Sequence, residues 1–218
     1  MPIKYQYVHE LWLEQSQYIV SSSTQWMSFL KTASWTYKYR FEDQILIYSQ
    51  KPNARACADF DTWNNKMNRW IKKNSKGIAL LNENGHGLRY VFDISDTRSP
   101  TNRPLRLWEI QEEDYPEFIE MIDNKYGPFQ YPSNDLGEII IKMAEVIAQD
   151  NCQDYLSSLL KYNRDSNLEY LEEHEIQSLF ENLVSKSIAY EIINRCGLDT
   201  SLYFDEQDFY DISHFNSL

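Results

Sequence analysis

Three runs of apolar residues at helical spacing occupy the second half of this 218-residue chain and constrain its fold more than any other feature. Leu136, Ile140, Met143 and Ile147 recur every three or four positions within residues 134–149. Ile176, Phe180, Leu183, Val184, Ile188 and Ile192 do so within 176–196, and a shorter run covers 115–125. An α-helix turns about 100° per residue, so this spacing lines one face with hydrocarbon and predicts helices buried along that face. Gly197, just after Arg195 and Cys196, is a helix terminator, because a helix commonly ends on a left-handed residue that glycine supplies without steric cost. SLYFDEQDFYDISHF then closes the chain as an acidic, aromatic tail.

The first half is patterned differently. Trp26, Phe29, Leu30 and Ala33 repeat at helical spacing behind a Ser/Thr cluster that can cap a first turn, which predicts a helix over 21–37. A second helix over 41–49 buries Ile45, Leu46 and Tyr48 and stops before Lys51-Pro52, since proline biases the preceding residue away from helical angles. Residues 54–58, GIALL at 77–81 and LRYVFDI at 88–94 have strand character, and the turn-rich NENGHG joins the last two into an antiparallel hairpin. Between the first two strands lies DFDTWNNKMNRW, whose aspartates suit a helix start and whose Phe60, Trp63 and Met67 stand three and four apart. The fold class is therefore α+β: helices and a small antiparallel sheet in residues 1–110, and a mainly helical region over 111–218. No repeat or low-complexity linker separates them, so the two are expected to pack together. A content of 42% hydrophobic and 15% aromatic residues is ample for a buried core.

Charge divides the chain at the same place. The net charge is −12, yet residues 1–110 carry 15 Lys and Arg against 10 Asp and Glu, a net of +5, and residues 111–218 carry 6 against 23, a net of −17. Such asymmetry points to an electrostatic partner for at least one half, although an acidic helical face also serves simple solvation. The three cysteines, Cys57, Cys152 and Cys196, are too few and too scattered for a disulfide framework or a zinc pattern and read as buried thiols. The amino terminus has no long apolar segment of the secretory kind, and no window approaches the roughly 18 apolar residues of a membrane helix. The expected location is the cytoplasm, with no membrane partner.

Catalytic signatures are missing where they would be sought. HEIQS at 174–178 begins like a zinc hydrolase helix, but that chemistry needs a second histidine at i+4 and the position holds Ser178. His9, His86 and His214 are far apart in sequence and lack ligand spacing. No phosphate-binding glycine loop or nucleophile elbow occurs. Asp93 and Asp96 could supply paired carboxylates, but Asp93-Ile94-Ser95-Asp96 is more simply a strand end with turn-forming side chains. The expectation is a non-enzymatic chain with no catalytic residues, metal or cofactor.

Two candidate surfaces follow. Lys38, Arg40, Lys51, Arg55, Lys72, Lys73, Lys76 and Arg89, with Trp70 and neighbouring tyrosines, combine cations with aromatic rings as single-strand binders do, lysine and arginine tracking phosphates while rings stack on bases. A packed core accounts for the same aromatics, and an ordinary solvated loop for the lysines of WIKKNSKG. In the second half, Glu169, Glu172, Glu173, Asp205, Glu206 and Asp208 stud helical sequence with carboxylates, an arrangement able to imitate duplex phosphates and occupy a cationic groove.

FEDQILIYSQKPNARACADFDTW, then WIKKNSKGIALL and YVFDISDT, resemble the N-terminal domain of ArdC-type antirestriction proteins. The likeness is closer to the variant of that domain leading large helicase- or methylase-bearing proteins of conjugative elements. It covers residues 20–110, and SIAYEIINRCGLDTSLYFDEQDFYDI is similar to the segment that follows the domain in those proteins. The resemblance implies a single-stranded-DNA-binding module of mobile DNA, with Lys72, Lys73, Lys76 and nearby aromatics as DNA contacts. The metallopeptidase-like second domain of the family has no counterpart here, so no hydrolase activity is implied. An acidic version of such a module is expected to be an anti-defence protein, of antirestriction or anti-CRISPR type, that binds a host DNA-targeting nuclease or its nucleic acid stoichiometrically. The alternative is a single-stranded-DNA-binding accessory module for conjugation that inhibits nothing.

Overall fold

A computed structural model describes residues 3–82, 87–101, 105, 107–129, 135–163 and 166–215. It is an α+β protein, 65% helix and 8% strand, with a small three-stranded antiparallel sheet in the first half and a helical second half. By contact it divides into two compact units: Met1–Ile19 with Lys31–Leu107, and Val20–Leu30 with Trp108–Leu218.

The first unit opens with a helix absent from the sequence expectation, α1 (Ile3–Ile19). Its polar residues dilute the apolar spacing, and only Val8 and Ile19 of its described side chains are buried. Next come α2 (Ser23–Thr36), whose earlier residues belong to the second unit, and α3 (Phe41–Gln50). The strands are β1 (Cys57–Ala58), β2 (Trp70–Ile71), β3 (Ile78–Leu81), β4 (Leu88–Asp93) and β5 (Thr97–Arg98). β4 is central, antiparallel to β3 with Ile78 opposite Val91 and to β1 with Cys57 opposite Asp93, while β2 and β5 form a separate pair. The tip of the hairpin between β3 and β4 lies outside the described residues.

Val8, Leu46, Ile47, Ala54, Ile78, Leu80 and Val91 make this unit's core, so α1 and α3 cover one face of the sheet. The exposed edge of β3 is closed by a side chain. The Gln50 amide donates to the Ala79 carbonyl and accepts from the Ala79 N–H, both at 2.9 Å, standing in for a neighbouring strand. Two expectations need correction. The strand over 54–58 is only its last two residues, because the Arg55 and Ala56 N–H groups are taken by the Asp93 carboxylate instead of a ladder. DFDTWNNKMNRW forms a short π-helical turn over Thr62–Lys66 that buries Trp63, whose indole N–H donates to the Phe92 carbonyl at 2.7 Å, while Phe60 and Met67 stay exposed.

The second unit holds α4 (Tyr115–Tyr126), α5 (Leu136–Tyr162) and α6 (Glu173–Arg195). α5 begins where Asp135 accepts from the Glu138 N–H and runs well past the expected end at residue 149, its burial continuing through Cys152 and Leu156. α6 starts on a reciprocal capping box of Glu172 and Glu175. Gly197, at φ +83°, ends it as expected, with the Leu198 N–H bonded back to the Ile193 carbonyl at 3.1 Å. The terminal segment is packed and not a loose tail. It forms 3-10 turns over Thr200–Leu202 and Glu206–Phe215, and Phe204 and Phe209 pack against Tyr190 at 5.8 Å centroid spacing, Phe209 edge-on. Phe204, Phe209 and Ile212 turn inward, while Tyr210, Asp205 and Glu206 face outward. Among the described residues no helix is long and apolar enough to cross a membrane.

Candidate functional site

Most of the cationic candidates of the first unit are held by their own chain. Lys51 reaches both carboxylate oxygens of Asp96, at 2.7 and 2.8 Å. Arg89, on β4, pairs with Asp43 on α3, where burial outweighs the arginine and raises the Asp43 carboxyl above its usual range. The Arg55 guanidinium lies over the Trp35 ring at 4.4 Å, Lys38 stands over Tyr37 at 5.7 Å, and exposed Arg40 is 3.6 Å from Glu42. The Asp96 and Asp43 pairs tie down Lys51 and Arg89, while Lys38 and Arg40 stay exposed.

What stays presented is narrower than the expected set. Lys72 donates to the Ser95 carbonyl at 2.7 Å, and its N–H to the Asp96 carbonyl at 2.8 Å, which pins the 72–76 turn to the end of β4. Asn74 sits in that turn at φ +70°, a conformation asparagine tolerates better than most residues. Lys73 and Lys76 are exposed and, among the described residues, make neither an ion pair nor a hydrogen bond. Beside them Trp70, 45% exposed, faces Arg98 across the β2–β5 pair with the guanidinium 5.5 Å from its ring. Arg98 joins the site only in the fold, because two-residue strands carry no pairing signal in sequence. The structure thus groups Trp70, Arg98, Lys73 and Lys76 and diverts Lys51, Arg55 and Arg89 to internal contacts.

Asp93 and Asp96 hold backbone and charge. Asp93 is 1% exposed and accepts from the N–H groups of Arg55, Ala56 and Ser95 at 2.8 to 3.0 Å. Burial opposes its ionisation, but these hydrogen bonds prevail and keep the carboxyl below its ordinary range. Cys57 opposite it is a free thiol that burial pushes up to about 12, far from a reactive thiolate.

The second unit presents carboxylates. It carries 24 Asp and Glu against 6 Lys and Arg, a net of −18, and the first unit 15 cations against 9 acids, a net of +6. Lys142 pairs with Glu145 and Lys186 with Asp208. Glu169, Glu172, Glu173, Asp205 and Glu206 are exposed and Asp208 half-buried. They have local duties as well. Glu172 caps α6, Asp205 accepts from the Gln207 N–H at 2.7 Å, Asp208 from the Asp205 N–H at 3.0 Å, and Glu206 from the Thr24 hydroxyl at 2.8 Å. Among the described residues no cluster of His, Cys, Asp and Glu is arranged to hold a metal ion, and His174 stands exposed in the first turn of α6. Comparison with protein families, curated proteins and solved structures finds no match for the chain.

Proposed function

We propose that this chain is a stoichiometric anti-defence protein of a mobile element, which occupies the cationic DNA groove of a host nuclease with the carboxylate surface of its second unit. The observation that carries the reading is where charge is left uncompensated. In the first unit Lys51, Arg89, Arg55 and Lys72 are engaged by Asp96, Asp43, Trp35 and the Ser95 carbonyl and the net charge is only +6, whereas the second unit has a surplus of 18 negative charges. Surfaces of one sign steer an oppositely charged partner and set its register. The resemblance of residues 20–110 to the ArdC N-terminal domain supplies the biological setting.

The test is plasmid transfer into hosts bearing single, defined restriction or CRISPR nucleases, with and without this protein, followed by cleavage assays at graded inhibitor-to-nuclease ratios. Protection against at least one nuclease that saturates near a fixed ratio is expected, weakening as salt rises. Replacing Glu169, Glu172, Glu173, Asp205, Glu206 and Asp208 with their amides should abolish it in a chain whose circular dichroism is unchanged. Undiminished protection by that variant would remove the acidic-surface mechanism.

The exposed Trp70–Arg98 pair with Lys73 and Lys76 favours a second reading, a single-stranded-DNA-binding accessory module. Anisotropy of a labelled oligonucleotide at two salt concentrations separates the two. Binding that Lys73→Ala and Lys76→Ala reduce, with a shallower salt slope, would mark the DNA module.

A further inference from the structure

Within the second unit, α5, α6 and the terminal segment line a groove of about 520 Å³. Ile141, Glu145 and Gln149 line it from α5 at i, i+4 and i+8, and Ser178, Asn182 and Lys186 line it from α6 at the same spacing. Each row is therefore about 12 Å long. Phe204 and Tyr203 contribute rings, and Tyr203 is fixed by donating its hydroxyl to Asp135 at 2.8 Å. Tyr203 lies so close over Gly137 that an added Cβ there would be 2.2 Å from its ring.

The carboxylates of the groove are not equivalent. Glu145 is paired with Lys142 and Asp208 with Lys186. Glu181 is half-buried and has only neutral partners among the described residues, the Gln177 amide at 2.8 Å and the thiol of buried Cys152. A half-buried carboxylate with no cation gains most from a charged donor brought from outside, since its surroundings screen less than water. Around it Ser178, Asn182, Ser185 and Gln149 offer hydroxyl and amide oxygens. A planar group with five diverging N–H donors can satisfy these together with Glu181 over a wider span than an ammonium, whose three donors share one atom.

We infer that this groove is a docking site for an arginine-bearing peptide segment of the partner, the guanidinium bonding to Glu181 and the arginine stem lying against Phe204. The inference rests on the proposed function, for it identifies where on the acidic unit a cationic protein is gripped. Charge complementarity selects the occupant, since the unit around the groove carries a net of −18.

The experiment uses the intact protein and fluorescein-labelled hexa-arginine and hexa-lysine peptides, read by anisotropy at low and moderate salt. Hexa-arginine should bind at least about fivefold more tightly than hexa-lysine. Glu181→Gln, nearly isosteric, should weaken it about tenfold or more, and Ser178→Trp, which fills the groove from an exposed position, should do likewise. Glu173→Gln, outside the groove, should change affinity less than about twofold, as expected for one exposed charge. Circular dichroism and thermal melts establish that each variant is folded, and Glu181→Gln alone decides if Ser178→Trp is not. Equal affinity for the two peptides, or binding indifferent to Glu181→Gln, would overturn the groove assignment and leave the acidic-surface function standing as diffuse attraction. Absence of binding to either peptide at low salt would overturn both.

Discussion

Asp93 shows how much one side chain can decide in a small sheet. Its carboxylate closes β4, holds the two N–H groups that enter β1, and nucleates the 3-10 turn after β4 through Ser95. Asp93→Ala should cost about 3 kcal/mol or more, because three backbone donors lose a charged acceptor in a buried place. Asp93→Asn, which keeps one acceptor oxygen, should cost less. Urea denaturation of the two variants gives the comparison. The sign of the pH effect follows from the direction of the shift. A carboxyl held below its unfolded value stabilises the fold above that value, and this stabilisation is lost as pH falls through the folded one. The wild type should therefore lose stability below about pH 4, and Asp93→Ala should lose less of it. The sequence shows Asp93 as a strand-end turn former, which is correct but incomplete. The Arg55 and Ala56 contacts join residues 37 and 38 positions apart, and no local pattern encodes them.

α6 carries a titratable group at odds with its surroundings. Glu191 sits half-buried next to buried Tyr190, and desolvation alone pushes its carboxyl from 4.5 up to about 7. A carboxyl raised in this way adds nothing unfavourable below its unfolded value of 4.5. Its cost grows as pH rises from there toward 7 and is complete above it. Glu191→Gln should thus leave stability nearly unchanged at about pH 4 and raise it by about 2 kcal/mol at about pH 8, measured by urea unfolding at both. An equal effect at the two pH values would show that packing, and not charge, is what the substitution changes. The buried face of α6 also departs from the run seen in sequence. Ile176 and Leu183 are buried, but Ala189, Tyr190 and Ile193 take over where Ile188 and Ile192 had the apolar spacing. The terminal segment supplies the reason, since Phe204 and Phe209 pack on Tyr190 and draw that part of the helix inward.

For the whole molecule the governing quantity is charge of unequal sign in its two units. A net of −18 within one unit destabilises its compact state through self-repulsion, which added salt screens. Raising NaCl from about 0.02 to about 0.5 M at neutral pH should increase Tm by a few degrees, the conversion being roughly 2–4 °C per kcal/mol for a chain of this size. A fall in Tm over the same range would mean that attractive pairs such as Lys51–Asp96 and Lys186–Asp208 outweigh the repulsion.

The sequence carries the α+β class, the hairpin of GIALL with LRYVFDI, the helices of the second half, the Gly197 stop and the opposite signs of charge. Each depends on neighbours within a few positions or on composition alone, where periodicity and turn chemistry act. It did not reveal α1, whose apolar pattern is weak, or the inward turn of the acidic tail. Which charges remain available depends on the fold. Lys51, Arg55 and Arg89 look like phosphate ligands in sequence and are engaged by Asp96, Trp35 and Asp43 in the fold. Glu181, undistinguished in sequence, lines a groove where it bonds a neutral amide. Whether a charge is satisfied depends on partners 20 to 46 positions away in the chain, and such pairings come into being only when the core brings them together.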